Sequence, residues 1–318
     1  MLFTDEHWAR FKEERKNPDF AQGLNVENVL VFYVDDILIY SKRNKGFKLH
    51  IFVLEFVFNQ LKLYGFILNK GKVKILGNDI KFLGSNFNAE GFSDIPAEKC
   101  QALSMVRSPR SHAELFSRMG QFAFVSSRIP FFAKISAPLR HLMVSEKFYW
   151  DKECHLAFET LKLSTKMNIK NFAVKPGLPL FVFTDTSKVA LGVVICQIFD
   201  THLNIVACQS RIFRKEDRVK SAVVRECIGL MFALKEFEVM FRNHTEQVFV
   251  ITDASSLVYI TKNKSVQSKY YTYALFISNF QNVTIVHCAS KHMYLADVLS
   301  RCFLDFVLTT DESEQRKV

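Results

Sequence analysis

Four acidic side chains far apart in this 318-residue chain occupy positions where a carboxylate needs a reason. Two apolar runs end alike, Phe181-Val182-Phe183-Thr184-Asp185 and Phe249-Val250-Ile251-Thr252-Asp253, and each delivers one aspartate from a strand-like segment. Between them Val223, Glu226, Leu230, Ala233 and Phe237 follow the spacing of a helix's apolar stripe, so Glu226 is expected to face a sheet rather than water. Asp297 lies in a similar apolar helical opening, Leu295-Ala296-Asp297-Val298-Leu299. A carboxylate turned inward is costly unless compensated, and like charges raise one another's pKa values. Four converging acids therefore imply divalent cations. Hard oxygen donors suit Mg2+ or Mn2+ rather than zinc, and two such ions about 4 Å apart can activate water and stabilise the leaving oxygen of a phosphodiester. Taken singly, the same residues also fit a plainer account, with Asp185 and Asp253 in turns, Glu226 snorkelling and Asp297 capping a helix.

A second acidic feature is Asp35-Asp36, flanked on both sides by apolar residues in 29–40, the pattern of a β-hairpin with two carboxylates at its turn. The elements that must position these groups follow from periodicity. A helix is expected over 47–64, where Phe47, Ile51, Leu54, Val57, Phe58 and Leu61 recur at three and four. Gly84, Gly91 and Pro96 mark short strands and turns, and Ser111 with Glu114 forms the capping-box signature of a helix over 111–124. From Lys175-Pro176-Gly177 a second unit runs strand (180–184), strand (189–198), strand (204–210), helix (221–239), strand (247–252), a short helix, strand (283–288) and a last helix (295–302). That order describes a mixed α/β domain with helices packed on a sheet.

Composition narrows the class. Hydrophobic residues make up 49% of the chain and Phe alone accounts for 32 positions, too apolar for a disordered protein. The net charge of +10 is concentrated in residues 37–177, which hold 22 basic and 10 acidic side chains; such a segment suits a polyanion, or is simply a solvated lysine-rich surface. Apolar stretches stop well short of the roughly 20 residues that span a bilayer, so no membrane partner is expected. Asp5 and Glu6 stand where a secretory leader would be basic, and seven cysteines form no CxxC pair and cannot all pair with one another. The expectation is an intracellular protein with reduced thiols.

The motifs together identify a family resemblance. Phe32-Tyr33-Val34-Asp35-Asp36 resembles the Y-x-D-D hairpin of reverse transcriptases, and the downstream order resembles the pol polyprotein of gypsy-type LTR retrotransposons and their retroviral relatives, over about residues 25–302. Phe82-Leu83-Gly84, Ala89-Glu90-Gly91 and Pro96-Ala97-Glu98-Lys99 are similar to the family's thumb boundary. Ala137-Pro138-Leu139, Phe148-Tyr149-Trp150, Ala157-Phe158 and Leu161-Lys162 are similar to its connection segment. Thr184-Asp185 with Gly192-Val193-Val194 and Gln197, Glu226 with Ala233-Leu234-Lys235, Thr252-Asp253 with Leu257, and Ala296-Asp297-Val298-Leu299-Ser300-Arg301 resemble its ribonuclease H domain.

The resemblance implies an α/β chain: a partial palm and the start of the thumb (1–95), thumb and connection (96–176), a ribonuclease H-like mixed-sheet domain (177–302) and a frayed tail (303–318). It implies cleavage of the RNA strand of an RNA–DNA hybrid with two Mg2+ or Mn2+ ions held by Asp185, Glu226, Asp253 and Asp297. Asp35 and Asp36 would be metal-binding acids of the polymerase site, with Tyr33 beside the primer end and Lys291 and His292 near a phosphate. Residues 1–28 carry neither a third palm acid nor the Pro-Phe-Gly segment that receives the nucleotide, so the expectation is an incomplete polymerase site in the chain and polymerisation in the parent protein. Expected partners are the hybrid, template-primer nucleic acid and the remaining polyprotein segments; expected locations are the cytoplasm, a virus-like particle or the nucleus. The rival expectations are a non-catalytic nucleic-acid-binding remnant and a related nuclease acting on DNA alone.

Overall fold

The computed structural model describes residues 30–40, 47–75, 77–167, 170–262 and 268–288. The expected hairpin forms from β1 (Leu30–Tyr33) and β2 (Asp36–Ile39), antiparallel with Tyr33 opposite Asp36. Val34 adopts a left-handed φ of 52° at the turn, a conformation rare for a β-branched residue. Helix α1 (Phe47–Leu63) follows, one residue shorter than its periodicity predicts, and buries Val53, Val57 and Leu61 at four-residue spacing against Ile37 and Ile39 of β2. Strand β3 (Asp79–Phe82) precedes Gly84, after which the chain divides into a second compact unit.

The second unit opens with β4 (Ser85–Asn88) and β5 (Phe92–Asp94), an antiparallel pair. Five helices follow: α2 (Ala97–Ser104), α3 (His112–Val125), α4 (Phe132–Ile135), α5 (Ala137–Met143) and α6 (Lys152–Lys166). Ser111 caps α3 by accepting from Glu114 N at 3.2 Å, while the Glu114 carboxylate reaches past it to Arg110 N at 2.8 Å, so the capping box closes one residue early. Leu115, Met119 and Phe122 of α3 meet Phe158 and Leu161 of α6 in one apolar core, with the Phe122 and Phe158 rings edge to face at 5.6 Å. Arg128, only 7% exposed, pins the core to β5 by donating to Ser93 O at 2.6 Å and Ser93 Oγ at 3.0 Å. Burial pushes its pKa down, and the charge of Asp94 opposes part of that fall. Strand β6 (Asn171–Phe172) pairs with β5.

The remaining elements are β7 (Leu180–Thr186), β8 (Ala190–Phe199), β9 (His202–Ile212), α7 (Lys215–Arg218), α8 (Ala222–Glu236), α9 (Glu238–Arg242), β10 (Val248–Thr252), α10 (Ser255–Lys262), α11 (Ser268–Ser278) and β11 (Val283–His287). Their sheet has the order β11-β10-β7-β8-β9; β7, β10 and β11 are parallel neighbours, while β7, β8 and β9 run antiparallel in turn. The mixed sheet is therefore present, with two differences from the periodicity. The helix expected over 221–239 breaks at Phe237, whose φ of −112° leaves the helical region, and the single short helix before β11 is two helices.

Both faces of the sheet are covered, and the alternation along each strand shows how. Leu180, Val182, Val193, Ile195 and Val250 join Leu230, Ala233 and Leu234 of α8 in the core on one face. Phe183, Val194, Cys196, Ile205 and Cys208 pack on the other face around Phe131, at the start of α4. Gln197 lies fully buried near the end of β8 and ties down the chain entering β7, accepting from Lys175 N at 2.7 Å and donating to Lys175 O and Leu178 O. Five of the six described cysteines are buried, and burial raises the thiol pKa of Cys196 and Cys208 to about 12. Among the described residues no helix is long and apolar enough to cross a membrane.

Candidate active site

Parallel pairing is what brings two of the acids together. Strands β7 and β10 run side by side with Phe183 opposite Ile251, and the same register carried two residues on sets Asp185 beside Asp253 at the carboxyl ends of both strands. This is the end of a sheet at which polar groups emerge from an apolar core. Thr252 shapes the exit of β10: its hydroxyl accepts from Ala254 N at 3.1 Å, turning the chain toward α10 and leaving Asp253 exposed.

Glu226 arrives from the helix face. Thr186 shares strand parity with Leu180 and Val182, which face α8, and its hydroxyl donates to Glu226 Oε1. The approach is close because Gly229, one turn further along α8, has no side chain; a Cβ there would lie 2.5 Å from Thr186 Cγ2. The second carboxylate oxygen, Glu226 Oε2, is buried and finds no donor among the described residues. Burial raises the Glu226 pKa to about 7; the Thr186 hydrogen bond opposes the rise, the charges of Asp253 and Asp185 add to it, and Arg225 weakly relieves it. These three acids thus share one electrostatic neighbourhood at one sheet edge.

Asp185 already has a cationic partner. Lys134 Nζ lies 2.9 Å from Asp185 Oδ2, with the two side chains 44% and 32% exposed. No three His, Cys, Asp or Glu side chains among the described residues stand close enough to hold a metal ion together as they are. The donor set nevertheless fits a hard divalent ion, because it consists of carboxylates alone, one of its oxygens is buried without a partner, and the mutual repulsion calls for positive charge. Asp185, Glu226 and Asp253 would hold that ion.

Asp297, Lys291 and His292 lie outside the described residues. Asp35, Asp36 and Tyr33 lie in the first unit, all three exposed, with Asp35 in the hairpin turn and Asp36 opening β2. Lys134, Thr186 and Gly229 were not singled out from the sequence. Strand parity could have found Thr186; no sequence signal marks Lys134, whose place depends on how α4 docks.

Residues 175–280 match the family model described as an RNase H-like domain found in reverse transcriptase, and residues 5–87 match that of reverse transcriptase (RNA-dependent DNA polymerase). The Tf2-3 and Tf2-7 transposon polyproteins of Schizosaccharomyces pombe are 26% and 25% identical over 281 residues, which cover 86% of this chain and 21% of each relative. The chain thus spans about a fifth of the length of these relatives. Among solved structures, the foamy viral protease-reverse transcriptase dRH in complex with double-stranded DNA aligns with a TM-score of 0.62 at 20% identity, over 88% of this chain and 48% of the viral one. The same viral protein in complex with an RNA/DNA hybrid aligns with a TM-score of 0.61 at 19% identity, over 89% of this chain and 37% of that one. The chain has a reverse transcriptase fold followed by a ribonuclease H-like domain. Both family models and the polyprotein relatives support a reverse transcriptase and ribonuclease H region of a retrotransposon polyprotein. In that frame β7, β8, β9, α8 and β10 belong to the ribonuclease H-like match.

Proposed function

We propose that the ribonuclease H-like domain hydrolyses the RNA strand of RNA–DNA hybrids at the carboxyl edge of β7 and β10. The observation that carries this reading is geometric: the parallel register brings Asp185 and Asp253 to the same end of β7 and β10, and Glu226, with one buried oxygen that finds no donor among the described residues, reaches that end through Thr186. Two divalent ions, when bound, would supply activation of the attacking water and stabilisation of the leaving oxygen. Asp185 and Asp253 would hold them from the strand ends. Glu226 would present its unpartnered Oε2, with Thr186 fixing the other oxygen so that the carboxylate cannot turn away. Asp297 would complete the acidic set, with Lys291 and His292 near a phosphate.

The substrate class follows from the basic residues 37–177, which suit a phosphate backbone held without sequence reading, and from the viral neighbour solved with an RNA/DNA hybrid. We assign the chain to a gypsy-type element and retain the division into palm and thumb start (1–95), thumb and connection (96–176), ribonuclease H-like domain (177–302) and tail (303–318). RNA-directed DNA polymerisation belongs in this proposal to the parent polyprotein, for which Asp35 and Asp36 would supply two metal-binding acids and Tyr33 a contact at the primer end.

The test is cleavage of a hybrid labelled on its RNA strand by the full chain with Mg2+, beside Glu226→Gln, Asp185→Asn and a DNA duplex of the same sequence. We expect cleavage of the hybrid only, reduced at least about 100-fold in either variant. Equal silence of all three proteins would leave a nucleic-acid-binding remnant, and cutting of the duplex would indicate a DNA nuclease.

A further inference from the structure

The Lys134 ammonium reaches Asp185 through a docking arrangement with three fixed points. In the sheet register Asp185 of β7 stands opposite Gly192 of β8, and Gly192 stands opposite Ser210 of β9, so the three form one row across the strands. The segment that opens α4 lies along this row. Phe131, 2% exposed and held at a left-handed φ of 55°, packs its ring over Gly192, where a Cβ would collide with the ring. Ala133 N donates to Ser210 Oγ at 2.9 Å. Lys134 is the next residue, and its ammonium falls on Asp185 at the end of the row.

The row also sets which way Asp185 is drawn. Asp185 shares strand parity with Phe181 and Phe183, on the face that Phe131 covers, whereas Thr186 and its partner Glu226 belong to the helix face. An ammonium donates hydrogen bonds and accepts none, and a second cation within hydrogen-bonding distance of the same oxygen would be repelled by it. Lys134 and a divalent ion therefore cannot both take Asp185 Oδ2 at full strength. The pair is partly exposed, and ion pairs of that kind are weak enough for a divalent ion to displace.

We propose that Lys134 is the resting counter-ion of Asp185 and competes with the divalent cation for it, so that cation entry requires the ammonium to leave. This rests on the metal-site reading given above, and the test separates the two. Mn2+ binding to the full chain without nucleic acid, followed by electron paramagnetic resonance, is compared for the natural protein, Lys134→Met, Lys134→Arg and Asp185→Asn. Removing the competitor should tighten Mn2+ binding about fivefold in Lys134→Met, with Lys134→Arg close to the natural protein and Asp185→Asn weaker by about tenfold. In the natural protein, which needs no substitution to fold, saturating Mn2+ should raise the acetylation rate of the Lys134 amine by roughly threefold, read by mass spectrometry. Unchanged or weaker binding in Lys134→Met, with an acetylation rate indifferent to Mn2+, overturns the counter-ion role while a weakened Asp185→Asn leaves the metal site standing. Mn2+ binding that is absent, or indifferent to Asp185→Asn, overturns both.

Discussion

At the scale of single residues, Glu226 makes the sharpest statement about the site, because its cost to the fold depends on pH in a direction opposite to that of most carboxylates. Its folded pKa is about 7 against an ordinary 4.5. Below about 4.5 both folded and unfolded chains hold the proton and the residue contributes no pH dependence. Between 4.5 and 7 only the folded chain keeps it, so stability falls as pH rises, and above 7 the full penalty remains. With cations chelated, Glu226→Gln is expected to stabilise the chain by about 1–3 kcal/mol at pH 8 and by close to nothing at pH 4.5, as measured by urea unfolding at the two pH values. Equal effects at both would mean that the charge is not what is costly there. The inward turn of Glu226 is legible from its place in the apolar stripe of α8, and that of Thr186 from strand alternation. Lys134 is not legible, because it meets Asp185 across 51 residues only through the docking of a four-residue helix.

At the scale of elements, the contact between α8 and β7 decides whether Glu226 and Thr186 can meet. Gly229 carries a helix-propensity cost of roughly 1 kcal/mol against alanine, so its presence in a central turn calls for a packing reason. The reason is Thr186 Cγ2, 2.5 Å from where a Cβ would stand. Gly229→Ala is therefore expected to destabilise the chain by about 1–2 kcal/mol despite its better propensity, since overpacking outweighs the gain. Pairing it with Thr186→Ser, which removes Cγ2 and keeps the hydroxyl, should recover most of that loss; additive losses in a double-mutant cycle by thermal unfolding would show that the clash is not with Thr186. Elements whose signals are local are readable in the sequence: α1 from its three and four spacing, the cap of α3 from Ser111, and the β1–β2 hairpin from its paired acids. The break of α8 at Phe237 carries no such local sign. Phe237 keeps the apolar spacing of the helix, and only its backbone departs from it.

At the scale of the molecule, the sheet explains why strands read as continuous apolar runs. Ala190 to Gln197 of β8 are buried without interruption, which a half-exposed strand would not allow. One face lies under α8, and the other under the segment around Phe131 that precedes the ribonuclease H-like match at residue 175. The sequence match and the packing therefore draw different limits, and packing governs stability. A chain beginning at residue 175 would expose the face of Phe183, Val194, Cys196, Ile205 and Cys208, whereas one beginning at 126 would keep Phe131 over Gly192. Phe131→Ala in the full chain should cost about 3–5 kcal/mol, the usual price of emptying a buried phenylalanine site. The chain starting at 175 should bind an apolar dye and unfold at a lower temperature than the chain starting at 126, because it loses that residue together with the Ala133–Ser210 and Cys208–Ser127 hydrogen bonds. Matching unfolding temperatures for the two, measured by calorimetry at one protein concentration, would show that the helix-covered face alone carries the domain and that the docking which delivers Lys134 adds nothing to its stability.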